Sequence, residues 1–287
     1  MKDSAGQSDP LPYNLAKWDG ISWQLTKVTV QTNYGLVTSP FYGIYAFSSN
    51  DIWILSGLPI HGDGMSWTQY DLYGMGLLGQ KDGYMTKAWG TNSSDIYFVG
   101  TKGTIVHYNG SSWTKIESGT TLDFQDIYGA INPQTNQTEI VAVASQLDIN
   151  QGNKIVLIQG TTVVPINSDG LSWSIVGVWF VLGQQYYIVG DGVGKKQSLQ
   201  DTNPWNISPT GTLARYYSES IRGNAINDVI IAGAFGDMLH YNGSTWKDYV
   251  GQTSFPNGSF TSVAMKGNLV IAVGGDGPKA VITVGRR

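Results

Sequence analysis

Short apolar runs separated by Gly, Asn, Asp and Ser recur along the whole chain. Runs such as DIYFVG and TIVHY, within residues 95–108, are rich in Ile, Val, Tyr and Thr and have the length of β-strands. Asn-Gly and Asp-Gly pairs at residues 19–20, 63–64, 109–110 and 242–243 supply the positive φ that tight hairpins need. Since no stretch keeps a 3.6-residue apolar period over three turns, the pattern predicts short antiparallel strands throughout.

The strands are organised in a repeat. Residues 86–116 and 219–249 match in phase without a gap, from Asp95 and Asp228 to Trp113 and Trp246. Two markers, the Trp after the turn and the apolar strand that opens each unit, both count six units, with the Trp position spaced at 41 to 50 residues. Four strands, A to D, fit each unit. Units of this length repeated radially make a β-propeller, so we predict an all-β, six-bladed β-propeller with four-stranded antiparallel blades.

The two ends of the chain predict how the ring closes. Residues 14–25 have the pattern of strands C and D, which predicts that N-terminal strands join the C-terminal blade and remove its open edge. Residues 14–18 and 280–285 both resemble strand C of that blade, so it has five strands or one of the two segments lies outside it. We assign residues 13–287 to one domain. The polar residues 1–12 are expected to be a disordered tether, or the tether that follows a lipid-modified cysteine once a leader is removed.

Composition narrows the function. The net charge is −4 with only four arginines, which argues against nucleic acid, and there is no apolar run of membrane length. The absence of cysteine excludes disulfides and thiol-based metal or nucleophilic sites. Charged residues are only 13% and aromatic residues 12%, a balance common in extracellular β-proteins. We therefore expect an extracellular, periplasmic or cell-surface location.

The repeat phrase supports this expectation through a resemblance. Residues 88–113 and 221–246 follow approximately W-G-x4-D-[IV]-[WY]-x-V-G, then H-[WY]-[DN]-G-x-x-W, and partial matches lie at residues 45–67. This phrase resembles the repeats of bacterial secreted and surface β-propeller proteins, and its turns resemble the Asp-box of sialidase-like propellers. The resemblance implies the propeller fold. It implies no particular activity, because such repeats are structural.

The repeat also explains the histidines. His61, His107 and His240 occupy one repeat position, so they are spread around the ring and cannot converge on one metal ion. The aspartates at residues 51, 95 and 228 share the turn between strands A and B, where a short carboxylate is expected to accept backbone N–H groups. We predict no metal site and no cofactor.

Departures from the repeat indicate where binding occurs. The connections from strand D to the next strand A are long and individual at residues 71–84, 208–217 and 251–259, as is the B-to-C connection at residues 145–153. Both kinds of connection lie on one face of a propeller, the D–A/B–C face, and variable loops on a rigid scaffold commonly carry function. Leu77 and Leu78 predict an exposed interaction patch on this face, unless their segment folds over the channel as a plug.

Strand A lines the central channel and supplies a second set of candidates. One repeat position carries the following residues: Tyr45, Trp89, Tyr128, Trp179, Arg222 and Ala264. The four aromatic residues form a ring suited to stacking on a sugar or another planar group, or they only fill the channel. A buried Arg needs a carboxylate or a ligand anion, so Arg222 with Glu219 or Asp126 is the leading polar group.

These candidates favour binding over catalysis. A sialidase needs three arginines, and only Arg215 and Arg222 lie in the body of the domain. A propeller glycosidase needs paired carboxylates, for which Asp126 and Glu219 are the leading pair. We predict a non-catalytic propeller that binds a partner protein through its D–A/B–C face. A glycan-binding, lectin-like propeller is the first alternative, and a glycoside hydrolase or lyase is the second.

Overall fold

The computed structural model describes residue 11 and residues 13–32 and 35–286. Within them the chain forms 27 strands, a 3-10 turn at Thr101–Gly103 and one short helix, α1 (Val250–Thr253). Six antiparallel sheets follow one another along the chain, which confirms the predicted six-bladed β-propeller. Most of the tether predicted at residues 1–12 lies outside the described residues.

Five blades have four strands each, in the order A, B, C and D. Blade 1 contains β5 (Gly43–Ser48), β6 (Asp51–Leu55), β7 (Pro59–Gly62) and β8 (Trp67–Gln69). Blade 2 contains β9 (Met85–Asn92), β10 (Asp95–Gly100), β11 (Ile105–Tyr108) and β12 (Trp113–Ile116). Blade 3 contains β13 (Phe124–Ile131), β14 (Thr138–Ser145), β15 (Asn153–Gln159) and β16 (Thr162–Ile166).

The remaining blades continue this order. Blade 4 contains β17 (Ile175–Val181), β18 (Gln185–Gly190), β19 (Gly192–Lys196) and β20 (Asn206–Ser208). Blade 5 contains β21 (Ser218–Ala225), β22 (Asp228–Gly233), β23 (Met238–Tyr241) and β24 (Trp246–Asp248). Blade 6 contains β25 (Gly258–Lys266), β26 (Leu269–Asp276) and β27 (Lys279–Arg286). Two hairpins precede blade 1: β1 (Leu15–Trp18) with β2 (Trp23–Thr26), and β3 (Val30–Thr32) with β4 (Gly35–Val37).

The core lies between successive blades. The B strands of blades 1 to 5 are almost wholly buried because their alternate side chains pack on the neighbouring parts of the ring, whereas β26 of blade 6 is only partly buried. In β10, for example, Phe98 packs toward blade 1 with Trp53, whereas Val99 packs toward blade 3 with Ile127. Neighbouring A strands contact one another from β5 through β9, β13, β17 and β21 to β25. The six A strands therefore surround a common axis.

The N-terminal strands are placed differently from the prediction. In the described residues, β27 pairs with β26 over eight positions and is strand C of blade 6, whereas β1 pairs only with β2. The predicted joining of N-terminal strands to the C-terminal blade is therefore wrong for this structure. The physical reason lies in blade 1, where Val28 and Val30 pack on Ile52 and Ile54 and hold the N-terminal part of the chain against that blade.

Candidate binding site in the central channel

Strand A places two levels of side chains along the channel. The cross-strand register pairs Tyr45 with Trp53, Trp89 with Tyr97 and Arg222 with Ile230, which are equivalent positions of the repeat. The six residues predicted to share one level all line a cavity of about 740 Å³ on the axis. Lys87 and Asp126 stand two residues earlier on their strands, on the same side, and line it as well. The sequence therefore identified one level of the channel and part of the second.

The tryptophans of this ring are inserted between blades. Trp89 is 7% exposed and Trp179 is 2% exposed. Each lies flat against a glycine of the next A strand, and a Cβ added there would come within 2.8 Å of Trp89 at Gly129 and 2.6 Å of Trp179 at Gly223. Their burial leaves little ring surface for a ligand. Both residues therefore shape the wall of the channel, as large aromatic groups do at sheet interfaces.

The tyrosines of the ring are half-buried and remain neutral phenols. Burial raises the pKa of both Tyr45 and Tyr128 above its usual value. The Tyr45 hydroxyl donates a hydrogen bond to the carbonyl of Gly90 in the next blade, at 3.1 Å. Tyr45 thus links blades 1 and 2 at the channel wall.

Arg222 is paired with Asp126, the second of its two predicted partners. Its Nη1 and Nη2 atoms donate to the two carboxylate oxygens at 2.8 and 2.9 Å, and Nη1 also donates to the Ile221 carbonyl at 2.7 Å. Burial alone would lower the pKa of Arg222, but Asp126 holds it above its usual value. Asp126 also accepts the Val178 N–H at 3.0 Å. The pair therefore connects blades 3, 4 and 5 across the channel, and the arginine charge is neutralised within the protein.

Lys87 and Glu219 are the other ionisable groups of this region. Burial lowers the pKa of Lys87, and the charges that act on it are those of Asp126, Arg222 and Glu219. Among the described residues, Lys87 has no hydrogen bond or ion pair for its ammonium group. Burial raises the pKa of Glu219, while a hydrogen bond from the Ser259 hydroxyl and the charge of Lys87 lower it. Sequence reasoning missed Lys87, although it occupies the position that Asp126 has in the next blade.

Leu77 and Leu78 do not form an exposed patch. Leu78 is 5% exposed and packs, with Leu77 beside it, on the core between blades 1 and 2 around Trp53 and Phe98. The loop is shaped by its own polar groups, since Asp71 accepts the Gly74 N–H at 2.9 Å. The prediction of an exposed patch at these two leucines is therefore wrong, because the loop folds inward onto a hydrophobic surface that the repeat leaves uncovered.

Other apolar side chains are exposed on the D–A/B–C face. Tyr42 and Tyr84, 51% and 43% exposed, precede the A strands of blades 1 and 2, and their ring centroids are 5.4 Å apart. Tyr42 also lines the axial cavity. The remaining exposed large apolar residues of this face lie in its loops: Tyr73, Met75, Leu147, Ile149 and Phe235. Tyr42 thus brings an exposed aromatic ring from this face to the wall of the cavity.

The opposite face carries a repeated polar contact. His61, His107 and His240 each contact the aspartate that opens strand B of their own blade, at Nε2–Oδ1 distances of 2.9, 2.8 and 2.8 Å. The three pairs lie in different blades, as the repeat predicted for the histidines. Over the residues that the structure describes, no group of three His, Cys, Asp or Glu side chains is arranged to hold a metal ion.

Comparisons with known proteins show the fold. No family model matches the chain, and no curated protein matches it. Among solved structures, the chain is similar to YCF48 bound to D1 peptide, with a TM-score of 0.66 at 16% identity over 93% of this chain and 83% of that one. It is also similar to YCF48 from Cyanidioschyzon merolae, with a TM-score of 0.63 at 15% identity over 93% and 86%. An ancestral GH74 enzyme gives a TM-score of 0.59 at 14% identity over 83% and 35%.

The class of protein is therefore a β-propeller with an axial cavity. None of the helices in the part of the chain that the structure describes has the length and apolar character needed to span a bilayer. The carboxylates that a glycosidase would need are not free as a pair, because Asp126 is bound to Arg222.

Proposed function

We propose that this propeller is a non-catalytic binding module, located outside the cell or at its surface, that holds a segment of a partner protein on its D–A/B–C face. The observation that carries the proposal is the axial cavity of about 740 Å³ with the exposed Tyr42–Tyr84 pair beside it. Tyr side chains give large contact area at small loss of conformational entropy and are common at protein interfaces. The solved structure of the similar YCF48 with a bound peptide supports the same use of this architecture.

Selection from a displayed library of extended peptides tests this proposal. We expect enriched peptides to bind the wild type and to lose at least about tenfold in affinity with the double variant Tyr42→Ser/Tyr84→Ser. The matched control is Ile131→Ser/Ile226→Ser on the opposite face, where the two residues are 44% and 40% exposed. Equal losses for the two double variants, or none for the tyrosine variant, would contradict binding at the D–A/B–C face.

Glycan binding is the second candidate, and one exposed feature favours it. Trp18 and Trp23 are each 41% exposed, with ring centroids 5.2 Å apart, and Asp19 and Gln24 stand next to them in the hairpin. Exposed tryptophans beside polar side chains are suited to stacking on sugar rings. A glycan-array screen of the wild type and of Trp18→Ala/Trp23→Ala tests this candidate, and a wild type that binds no glycan excludes it.

A further inference from the structure

The side chain of Lys87 is the starting point, because its ammonium group lies in the channel wall and makes no ion pair within the part of the chain that the structure describes. It stands on β9 immediately after a β-bulge, where the register shifts between Val99 and Gly100. Its side chain lines the axial cavity, and among the described residues no carboxylate lies within ion-pair distance of it. Withdrawing an ammonium group from water is unfavourable unless an anion or several acceptors replace the water. The stability of the fold therefore does not explain why a lysine without an ion pair stands at this place.

The carboxylates of the channel do not supply the anion that would pair with Lys87. Asp126 is the nearest candidate on the neighbouring blade, but both of its oxygens bind Arg222 and one also accepts the Val178 N–H. Glu219 acts on Lys87 electrostatically from β21, on the far side of the axis, without an ion pair. An anion brought by a ligand would complete the contacts of Lys87.

The position of Lys87 also defines the direction of entry. Strand A runs from the D–A connection into the channel, so Lys87 lies nearer the D–A/B–C face than Trp89, which follows it by two residues. The Arg222–Asp126 pair joins blades 3 and 5 along the channel wall, where Arg222 also donates to the Val178 carbonyl of blade 4 at 3.3 Å. A ligand that enters from the D–A/B–C face therefore meets Lys87 before it reaches Trp89, in a cavity lined by all six A strands. This geometry suits the end of a chain better than its middle.

We propose that Lys87 binds a carboxylate of the ligand in the axial cavity, and that this carboxylate is the C-terminus of the bound peptide. The inference rests on the proposed function, since it specifies which part of a peptide enters the channel. The Tyr42–Tyr84 pair at the mouth then contacts residues that precede the terminus. Glu219 opposes the bound carboxylate because its own negative charge acts on Lys87 from β21.

Acetyl-glycyl-glycyl-leucine, as the free acid and as the C-terminal amide, is a suitable pair of probes. Titration of protein labelled with 13C at lysine Cε measures both affinity and the Lys87 resonance, which is assigned by its loss in Lys87→Met. We expect the acid to bind at least about tenfold more tightly than the amide and to raise the pKa of Lys87. Lys87→Met should abolish this preference, Lys87→Arg should keep it, and Glu219→Gln should tighten acid binding about threefold or more.

Lys195→Met is the matched control. Lys195 is a partly buried lysine surrounded by Tyr187, Tyr241 and Trp246, with its Nζ 5.3 Å from the Trp246 ring centroid, and it does not line the cavity. Its replacement should leave the preference for the acid unchanged. Equal affinity of acid and amide, a preference that survives Lys87→Met, or no binding of the acid up to about 10 mM would overturn the inference.

Further experiments distinguish a C-terminal carboxylate from other carboxylates, and failure of the Lys87 proposal from failure of the proposed function. An amidated peptide with an internal aspartate that binds as tightly as the free acid overturns the assignment to a C-terminus, and so does D-glucuronate that binds through Lys87 when the peptide acid does not. If library peptides still require Tyr42 and Tyr84 without any preference for a free acid, the proposed function holds and the role of Lys87 is wrong. Acid binding that depends on Lys87 but not on the tyrosines contradicts the peptide-binding face instead.

Discussion

The two faces of this propeller use charge in opposite ways. On the A–B/C–D face, the same Asp–His contact recurs in blades 1, 2 and 5, always within one blade and at almost the same distance. On the D–A/B–C side of the channel, by contrast, Asp126 and Arg222 form a contact between different blades, and no other A strand has a lysine at the position of Lys87. Repetition marks residues that build each blade, and a departure from it marks residues whose role belongs to the whole ring.

The same contrast holds for apolar groups. At the A–B/C–D face the turns are short, and their exposed residues, such as Ile131 and Ile226, stand singly. At the D–A/B–C face the long loop between β8 and β9 buries Leu72 and Leu78 while it leaves Tyr73, Met75 and Tyr84 exposed. One loop thus supplies both core and surface, so length alone does not separate a binding loop from a structural one.

Removal of the inter-blade ion pair is expected to have the largest effect. Asp126→Ala should lower the free energy of unfolding by about 2–4 kcal/mol, because it leaves an arginine that is only 26% exposed without its carboxylate and the Val178 N–H without its acceptor. Urea unfolding followed by circular dichroism measures the change.

The control for this prediction removes both charges. Asp126→Leu/Arg222→Met should recover most of the lost stability, because neither charge of this pair is then left without its partner. A loss below about 1 kcal/mol for Asp126→Ala would show that the pair is solvated and does not hold the three blades together.

Truncation of Leu78 is the second test and separates core from surface within one loop. Leu78→Ala should cost about 2–4 kcal/mol because it leaves a cavity beside Trp53, whereas Met75→Ala, at a 59% exposed residue, should change stability by less than about 0.5 kcal/mol. Thermal and urea denaturation of the two variants give the comparison. Similar small effects for both would restore the exposed patch that the sequence predicted.

These residues show which features of the structure could be predicted from the sequence. The six-blade count and the level shared by Tyr45 through Arg222 followed from a repeat whose strand period is visible in the chain. The burial of Leu78 could not be predicted, because it depends on a hydrophobic surface that forms only when blades 1 and 2 pack together.

Two other outcomes required three-dimensional information. Residues 279–286 and the β1 segment have the same pattern for strand C, and only packing of Val28 and Val30 on blade 1 decides between them. Among the described residues, Lys87 has no ion pair because Asp126 pairs with Arg222 instead. Asp126 and Arg222 are 96 positions apart in the sequence. Neither contact leaves a trace in local periodicity.

Breaking the repeated Asp–His contacts should have smaller and graded effects. His240→Phe should cost about 1–2 kcal/mol, because the side chains of His240 and Asp228 are only 14% and 12% exposed. His61→Phe should cost less than about 1 kcal/mol, since the corresponding exposures are 33% and 32%. Chemical denaturation of both variants near pH 7 shows which of them loses more stability. The reverse order would mean that burial does not determine the strength of this contact.

The smallest expected effect is a gain of stability on removal of Lys87. Burial lowers the pKa of Lys87 in the folded state, so the folded protein disfavours the ammonium form at pH values below the usual lysine range. Lys87→Met should therefore raise the free energy of unfolding at pH 7 by up to about 1 kcal/mol, with the gain shrinking as pH rises toward the unfolded-state pKa of lysine. Urea unfolding at pH 7 and at pH 9.5, with the exposed Lys81→Met as control, measures this change. If Lys87→Met is less stable than wild type at pH 7, Lys87 stabilises the fold. If Lys87→Met is more stable and no longer prefers the free-acid peptide, Lys87 contributes to binding at the expense of stability.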